Sequence, residues 1–215
     1  MSIILEAPLK VRSFLRGVQR FAAGAKPLRT NGFTLRPLGL TDLQEYVRLF
    51  ADRNEHPWLW HEIPENILQG IAVLADEQMG RITGTSFLFA IEKRKRVVGV
   101  IGFRHINPGD CCGELVVLLK REERGNGIFR DAVRAVADFG FFELGLNRVY
   151  FYVDPGDQSM LKKISKMQEL GIPIVREGLL RQNERIRGVF VDDEVYSVLK
   201  EDWKRFTRIY DKSLS

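Results

Sequence analysis

The chain has 215 residues, 45% of them hydrophobic and 28% charged, which is enough apolar material for one sizeable core. Its net charge is +5, and no apolar run reaches the roughly 18–20 residues that a membrane-spanning helix requires. These features exclude a helical membrane protein and a disordered polyelectrolyte, and the expected compartment is cytoplasmic.

The first 30 residues carry Lys10, Arg12, Arg16, Arg20, Lys26 and Arg29 against Glu6, so the whole net charge resides there. The rest of the chain is balanced, which tells against a nucleic-acid groove in the main domain. Contact with nucleic acid or membrane is expected only through residues 1–30. Pro8 suits a first helical position, and Val11, Phe14, Leu15, Val18, Phe21 and Ala22 follow helical spacing. This basic amphipathic stretch reads as a helix packed on its own domain or across a homodimer interface, as an arm on membrane or RNA, or as a transit peptide. Residues 24–32, with Pro27 and Asn31, read as a linker. The extension and linker therefore cover 1–30, the main domain 31–204, and a helix end and tail 205–215.

A short strand is expected at 33–36. Thr41 and Gln44 form a capping box for a helix that turns Leu43, Tyr46, Val47 and Phe50 inward. Pro64 opens a second helix with Ile67, Ile71, Leu74 and Ala75 inward. Trp58, Trp60 and His61 lie between these helices. Strands at 86–91 and 97–103 are joined by Glu92-Lys93-Arg94-Lys95-Arg96, a charge run that reads as a solvated hairpin tip. A second turn, Asn107-Pro108-Gly109-Asp110, precedes Cys111 and Cys112. Adjacent cysteines rarely bridge each other, so both read as thiols in a reducing compartment. His56, His61 and His105 show no ligand spacing, and no metal site is expected.

The most informative junction follows. A strand at 114–119 leads into Arg124-Gly125-Asn126-Gly127-Ile128-Phe129, then into a helix over 128–144 with Ile128, Ala132, Ala135, Val136 and Phe139 on one face. Two glycines here allow either a tight turn or close approach of a ligand to the first helical N–H groups, an anion site suited to a pyrophosphate. The loop lacks the Gly-Lys-Ser/Thr ending of a nucleotide P-loop, and Arg130 stands where a dinucleotide fingerprint has its third glycine. Beyond it the expected elements are a strand at 148–153, a helix within 157–170, strands at 174–180 and 189–199, and a helix from Glu201.

Arg-Gly-x-Gly-Ile after a central strand resembles the acetyl-CoA pyrophosphate loop of the GNAT N-acetyltransferase superfamily. Glu143-Leu144-Gly145-Leu146-Asn147-Arg148-Val149-Tyr150 is similar to that family's helix-to-strand passage. Arg176-Glu177-Gly178-Leu179-Leu180-Arg181-Gln182, with Asp192 and Val195-Tyr196-Ser197, looks like the C-terminal hairpin of its RimJ/RimL-type branch. Phe33-Thr34-Leu35-Arg36-Pro37-Leu38 is similar to that branch's first strand. The resemblance implies an α/β fold: a mixed, mostly antiparallel central sheet with a βαβ cofactor-binding core and helices on both faces.

It also implies acetyl transfer from acetyl-CoA to an amine acceptor, a protein N-terminus or a small molecule, by direct attack on the thioester, with no metal. Pantetheine would pair with Val117, Leu118 and Leu119, and Arg124, Gly125, Asn126, Gly127, Ile128 and Phe129 would hold the pyrophosphate. Ser159 matches a serine near the thioester sulfur, and Glu177 a glutamate that accepts the amine proton. The residues themselves also allow Ser159 as a helix N-cap and Glu177 as a paired surface carboxylate. Asp192, Trp58, Trp60 and His61 divide between substrate contact and structure. Several features depart from the family: Gly156 stands where an asparagine is usual, Val116-Val117 where Gly-Tyr is frequent, the segment 159–171 is about one helical turn longer and continues Ile172-Pro173-Ile174, and no tyrosine lies between Asp157 and Gly171. The second reading is therefore a non-catalytic GNAT-like module that binds CoA or a protein and is attached by its N-terminal helix.

Overall fold

The computed structural model describes residues 27–30, 32–49, 66–186 and 188–213. They divide into two compact units, one ending at Leu146 and the other beginning at Asn147. The amphipathic stretch at 8–22, Pro64, Trp58, Trp60 and His61 lie outside the described residues.

The first unit is an antiparallel sheet with helices on both faces. Its strands are β1 (Leu28–Arg29), β2 (Thr34–Pro37), β3 (Phe87–Lys93), β4 (Arg96–Asn107) and β5 (Cys112–Leu119), each paired with the next. β1 forms inside the expected linker, where Leu28 pairs with Leu35. Alternation along β3 and β4 sorts side chains between two cores. Leu88, Ala90 and Val100 pack with Tyr46 and Leu49 of α1 (Leu43–Leu49) and with Val73 and Leu74 of α2 (Ile67–Thr83). On the opposite face Phe87 and Phe89 meet Phe139 edge-on, with ring centroids at 6.3 and 5.2 Å.

Three local expectations change. A 3₁₀ turn over Leu40–Asp42 precedes α1, and Asp42, not the Thr41–Gln44 pair, closes it by accepting from the Gly39 N–H at 3.0 Å. Arg36 holds that carboxylate with two bonds and reaches Glu92 with a third. α2 begins at Ile67 with Asn66 as its N-cap, later than the expected opening at Pro64. The buried face of α2 is Gly70, Val73, Leu74, Glu77 and Gly80, whereas Ile67 and Ile71 are 56% and 41% exposed and Ala75 is exposed. Close approach at Gly80 sets this face: a Cβ there would lie 2.7 Å from Ser86 Cβ. Finally, the helix expected over 128–144 is α-helical only as α3 (Ile128–Asp138) and winds as a π-helix over Phe139–Leu144. Gly140 sits on the Phe103 ring, where a Cβ would come within 2.5 Å, and the wider turn keeps Phe139, Phe141 and Leu144 all buried.

The second unit contains β6 (Arg148–Val153), α4 (Gln158–Glu169), β7 (Val175–Ile186), β8 (Val189–Leu199) and α5 (Lys200–Ser213). β8 pairs antiparallel with both β6 and β7. Phe151 stacks on Tyr196 at 5.5 Å, and Trp203 anchors α5 at 3% exposure. Among the described residues no helix is long and apolar enough to cross a membrane.

Candidate functional site

The glycine loop begins where β5 ends. Leu119 pairs with Gly99, Lys120 N–H donates to Val98 O at 2.9 Å, and a 3₁₀ turn over Arg121–Glu123 leads into Arg124. Arg124 Nε donates back to Leu119 O at 3.2 Å, which closes the loop on the strand. Gly125 and Gly127 have φ of 85° and 80°, a region that side-chain-bearing residues rarely adopt. Nothing lies within 4 Å of a Cβ built at Gly125. Gly127 is the N-cap of α3 and brings no side chain to its first turn. The loop therefore presents an open backbone at the positive end of a helix, a geometry that fits a pyrophosphate. Val117 is half-buried, while Leu118 and Leu119 are 7% and 6% exposed.

A second polar group in this unit was not singled out by the sequence pattern. His105 Nδ1 lies 2.7 Å from Glu114 Oε2; the glutamate is 5% exposed, while the His105 side chain is 67% exposed. A bulge between Arg104 and Asn107 places His105 at φ 47°, which turns its ring beside a residue on the neighbouring strand. The ring thus shares a hydrogen bond with the Glu114 carboxylate through Nδ1, and the donor and acceptor roles follow the tautomer. Nearby, Glu77 accepts from Ser86 Oγ and pairs with Arg104 Nη2 at 2.6 Å. A bulge is a register event and leaves no periodic trace in sequence, so His105 carried no signal.

In the second unit, Ser159 is the second residue of α4 and exposed. It is not the N-cap: Asp157 fills that position and accepts from Met160 N at 2.9 Å. Glu177 is the extra residue of a bulge, since Arg176 pairs with Tyr196 and Gly178 with Val195. Its carboxylate accepts from Arg148 Nη2, from Arg148 Nε at 3.3 Å and from Ser197 Oγ at 2.6 Å. Arg148, helped by Ser197, holds the Glu177 carboxyl below the usual carboxylate range. Asp192 Oδ1 accepts from Gln182 N at 2.8 Å and steadies a further irregularity of the hairpin, where Gln182 has φ 52°. Glu194 lies between Arg176 and the Tyr196 hydroxyl; burial first, then Glu194, pushes that hydroxyl up to about 12.

Against known proteins, the acetyltransferase (GNAT) domain family matches residues 33–167. The uncharacterized N-acetyltransferase p20 of Bacillus licheniformis is 26% identical over 182 residues, covering 82% of this chain and 97% of the relative. Spermidine N(1)-acetyltransferase of Escherichia coli K12 is 26% identical over 156 residues, covering 73% and 80%. The crystal structure of ribosomal-protein-S5-alanine acetyltransferase from Vibrio fischeri superposes with a TM-score of 0.70 at 19% identity, covering 83% of this chain and 99% of that one, a likeness of fold.

Proposed function

The chain belongs to the GNAT acetyltransferase family and is an N-acetyltransferase, and on that premise we propose that it carries an acetyl group from acetyl-CoA to a primary amine by direct attack on the thioester. The observation that supports this most is the open backbone of Arg124–Phe129 at the start of α3, with Gly125 and Gly127 at positive φ. In this reading those residues bind the pyrophosphate through N–H groups, and Val117, Leu118 and Leu119 lie along the pantetheine arm. Identity of side chain matters little there, which accommodates Val116-Val117 where the family often has Gly-Tyr. The C-terminal hairpin motif supports the RimJ/RimL-type branch.

Acetyl-CoA supplies the activated thioester, and the amine must lose a proton before it can attack. The geometry favours His105 over Glu177 for that proton. Both side chains are hydrogen-bonded, His105 to Glu114 and Glu177 to Arg148 and Ser197, but that of His105 is 67% exposed against 37% for Glu177. Ser159, on the first turn of α4, remains the proposed donor to the leaving thiolate. For the acceptor, a small amine and a protein N-terminus are both represented among the proteins this chain is similar to.

Calorimetric titration with acetyl-CoA tests the donor, followed by turnover with spermidine and with an alanine-initiated peptide. Gly125→Val should abolish binding, because a branched side chain is strained at φ 85° and fills the space the ligand needs. Wild-type affinity in that variant would remove the loop from the site.

A further inference from the structure

We propose that the tip of the β3–β4 hairpin, Arg94, Lys95 and Arg96, binds the 3′-phosphate of coenzyme A. The assignment rests on the proposed use of acetyl-CoA as donor and adds a second anion subsite to the pyrophosphate loop. Besides its pyrophosphate, coenzyme A carries a phosphate monoester on the ribose, close to a dianion at neutral pH. A subsite for it needs cationic side chains at the same end of the sheet as the loop.

The sequence places four cations in a row, Lys93 to Arg96. The fold uses the first of them: Lys93 Nζ pairs with Glu123 Oε2 at 2.6 Å. Arg94, Lys95 and Arg96 are exposed, and none makes an ion pair or side-chain hydrogen bond among the described residues. Successive like charges repel one another, and nothing in the described fold offsets them.

The backbone carries a second cost at the same place. Lys93 pairs with Arg96, so the loop has two residues, Arg94 at φ 50° and Lys95 at φ 62°. Positive φ at both central positions is the type I′ geometry, which Asn-Gly suits and long side chains do not. The hairpin therefore holds two cations in a strained turn where a common turn pair would relieve both strain and repulsion.

Its position supplies the ligand. β4 starts at this tip and runs beside the end of β5, with Gly99 opposite Leu119. Glu123, which grips Lys93, directly precedes Arg124 and Gly125. One ion pair thus fixes the cationic tip to the turn that delivers the glycine loop. It also offsets the charge of the acid next to the loop, as Arg36 offsets that of Glu92 at the other side of the hairpin tip.

The test is Arg94→Asn/Lys95→Gly/Arg96→Thr in the full chain, titrated by calorimetry with coenzyme A and with dephospho-coenzyme A. Wild type should bind coenzyme A about tenfold more tightly than the dephospho form. The variant should lose that preference, bind both as wild type binds dephospho-coenzyme A, and melt at the same or a higher temperature because Asn-Gly suits the turn. Equal wild-type affinity for the two nucleotides overturns the assignment, as does a preference that persists in the variant or a loss that falls equally on both. Wild type that binds neither nucleotide overturns the donor reading itself and this subsite with it, so the two failures read differently.

Discussion

A proton acceptor has to be reachable and basic at the working pH. Glu177 is poorly suited on both counts, because Arg148 and Ser197 occupy its oxygens and Arg148 holds its carboxyl below the usual range. His105 has a side chain that is 67% exposed and a buried glutamate bonded to Nδ1, which fixes the orientation of the ring. Arg104 on β4 feels the Glu114 charge, and it is bordered in turn by Glu77 on α2 and Tyr46 on α1. His105→Gln should therefore lower kcat/KM about 100-fold and leave acetyl-CoA affinity unchanged. Glu177→Gln, which keeps a polar group toward Ser197, should cost about threefold or less. The measurement is kcat/KM against pH for both variants with one amine. A His105→Gln profile matching wild type would leave the dyad a structural role. The ion pair of Glu177 was one of the two readings its sequence allowed, whereas His105 carried no signal; both side chains are aimed by bulges, and a bulge depends on how two distant segments pair.

At the scale of elements, the chain was legible where burial alternates cleanly and obscure where a polar residue or glycine was buried. The strand expected at 148–153 and that at 189–199 match β6 and β8 end to end. The inward face of α2 was misassigned because its contact residues include Gly70, Glu77 and Gly80, which carry no apolar signal. Glu77 is tolerated there because Arg104 and Ser86 satisfy it. Arg104→Met leaves that carboxylate buried with Ser86 alone, and a destabilisation of about 2–3 kcal/mol is expected, somewhat below the usual range for a broken buried pair because Arg104 keeps some solvent contact. Replacing both members, Glu77→Met/Arg104→Met, should recover most of the loss. Urea denaturation of the two single variants and the double gives the coupling directly; additive losses would show that the pair does not hold α2 to β4.

At the scale of the molecule, the family was readable because its cofactor loop works through backbone, and backbone demands appear in sequence as glycines. The proposed acceptor side was not readable in that way, since His105 and Glu177 are both aimed by strand register; Trp58, Trp60 and His61 fall outside the described residues. Both units share one electrostatic device, a carboxylate held ionised by basic neighbours. Arg148 does this for Glu177 and Arg176 for Glu194, while for Glu45 the bonds from Lys120 and Arg48 outweigh an opposing desolvation. Each folded pKa lies below the unfolded value, so each pair stabilises the fold fully above the ordinary carboxylate range and loses its effect as pH falls through the folded pKa. Stability should therefore decline from about pH 4.5 downwards on account of these groups. The sign can be checked with Arg148→Met and Lys120→Met. Each should be less stable than wild type at pH 6, and the gap should close near pH 2–3, where the carboxylates are protonated in both states. Urea midpoints measured across that window decide it: a gap that stays constant into acid would mean that the basic side chains contribute packing rather than charge.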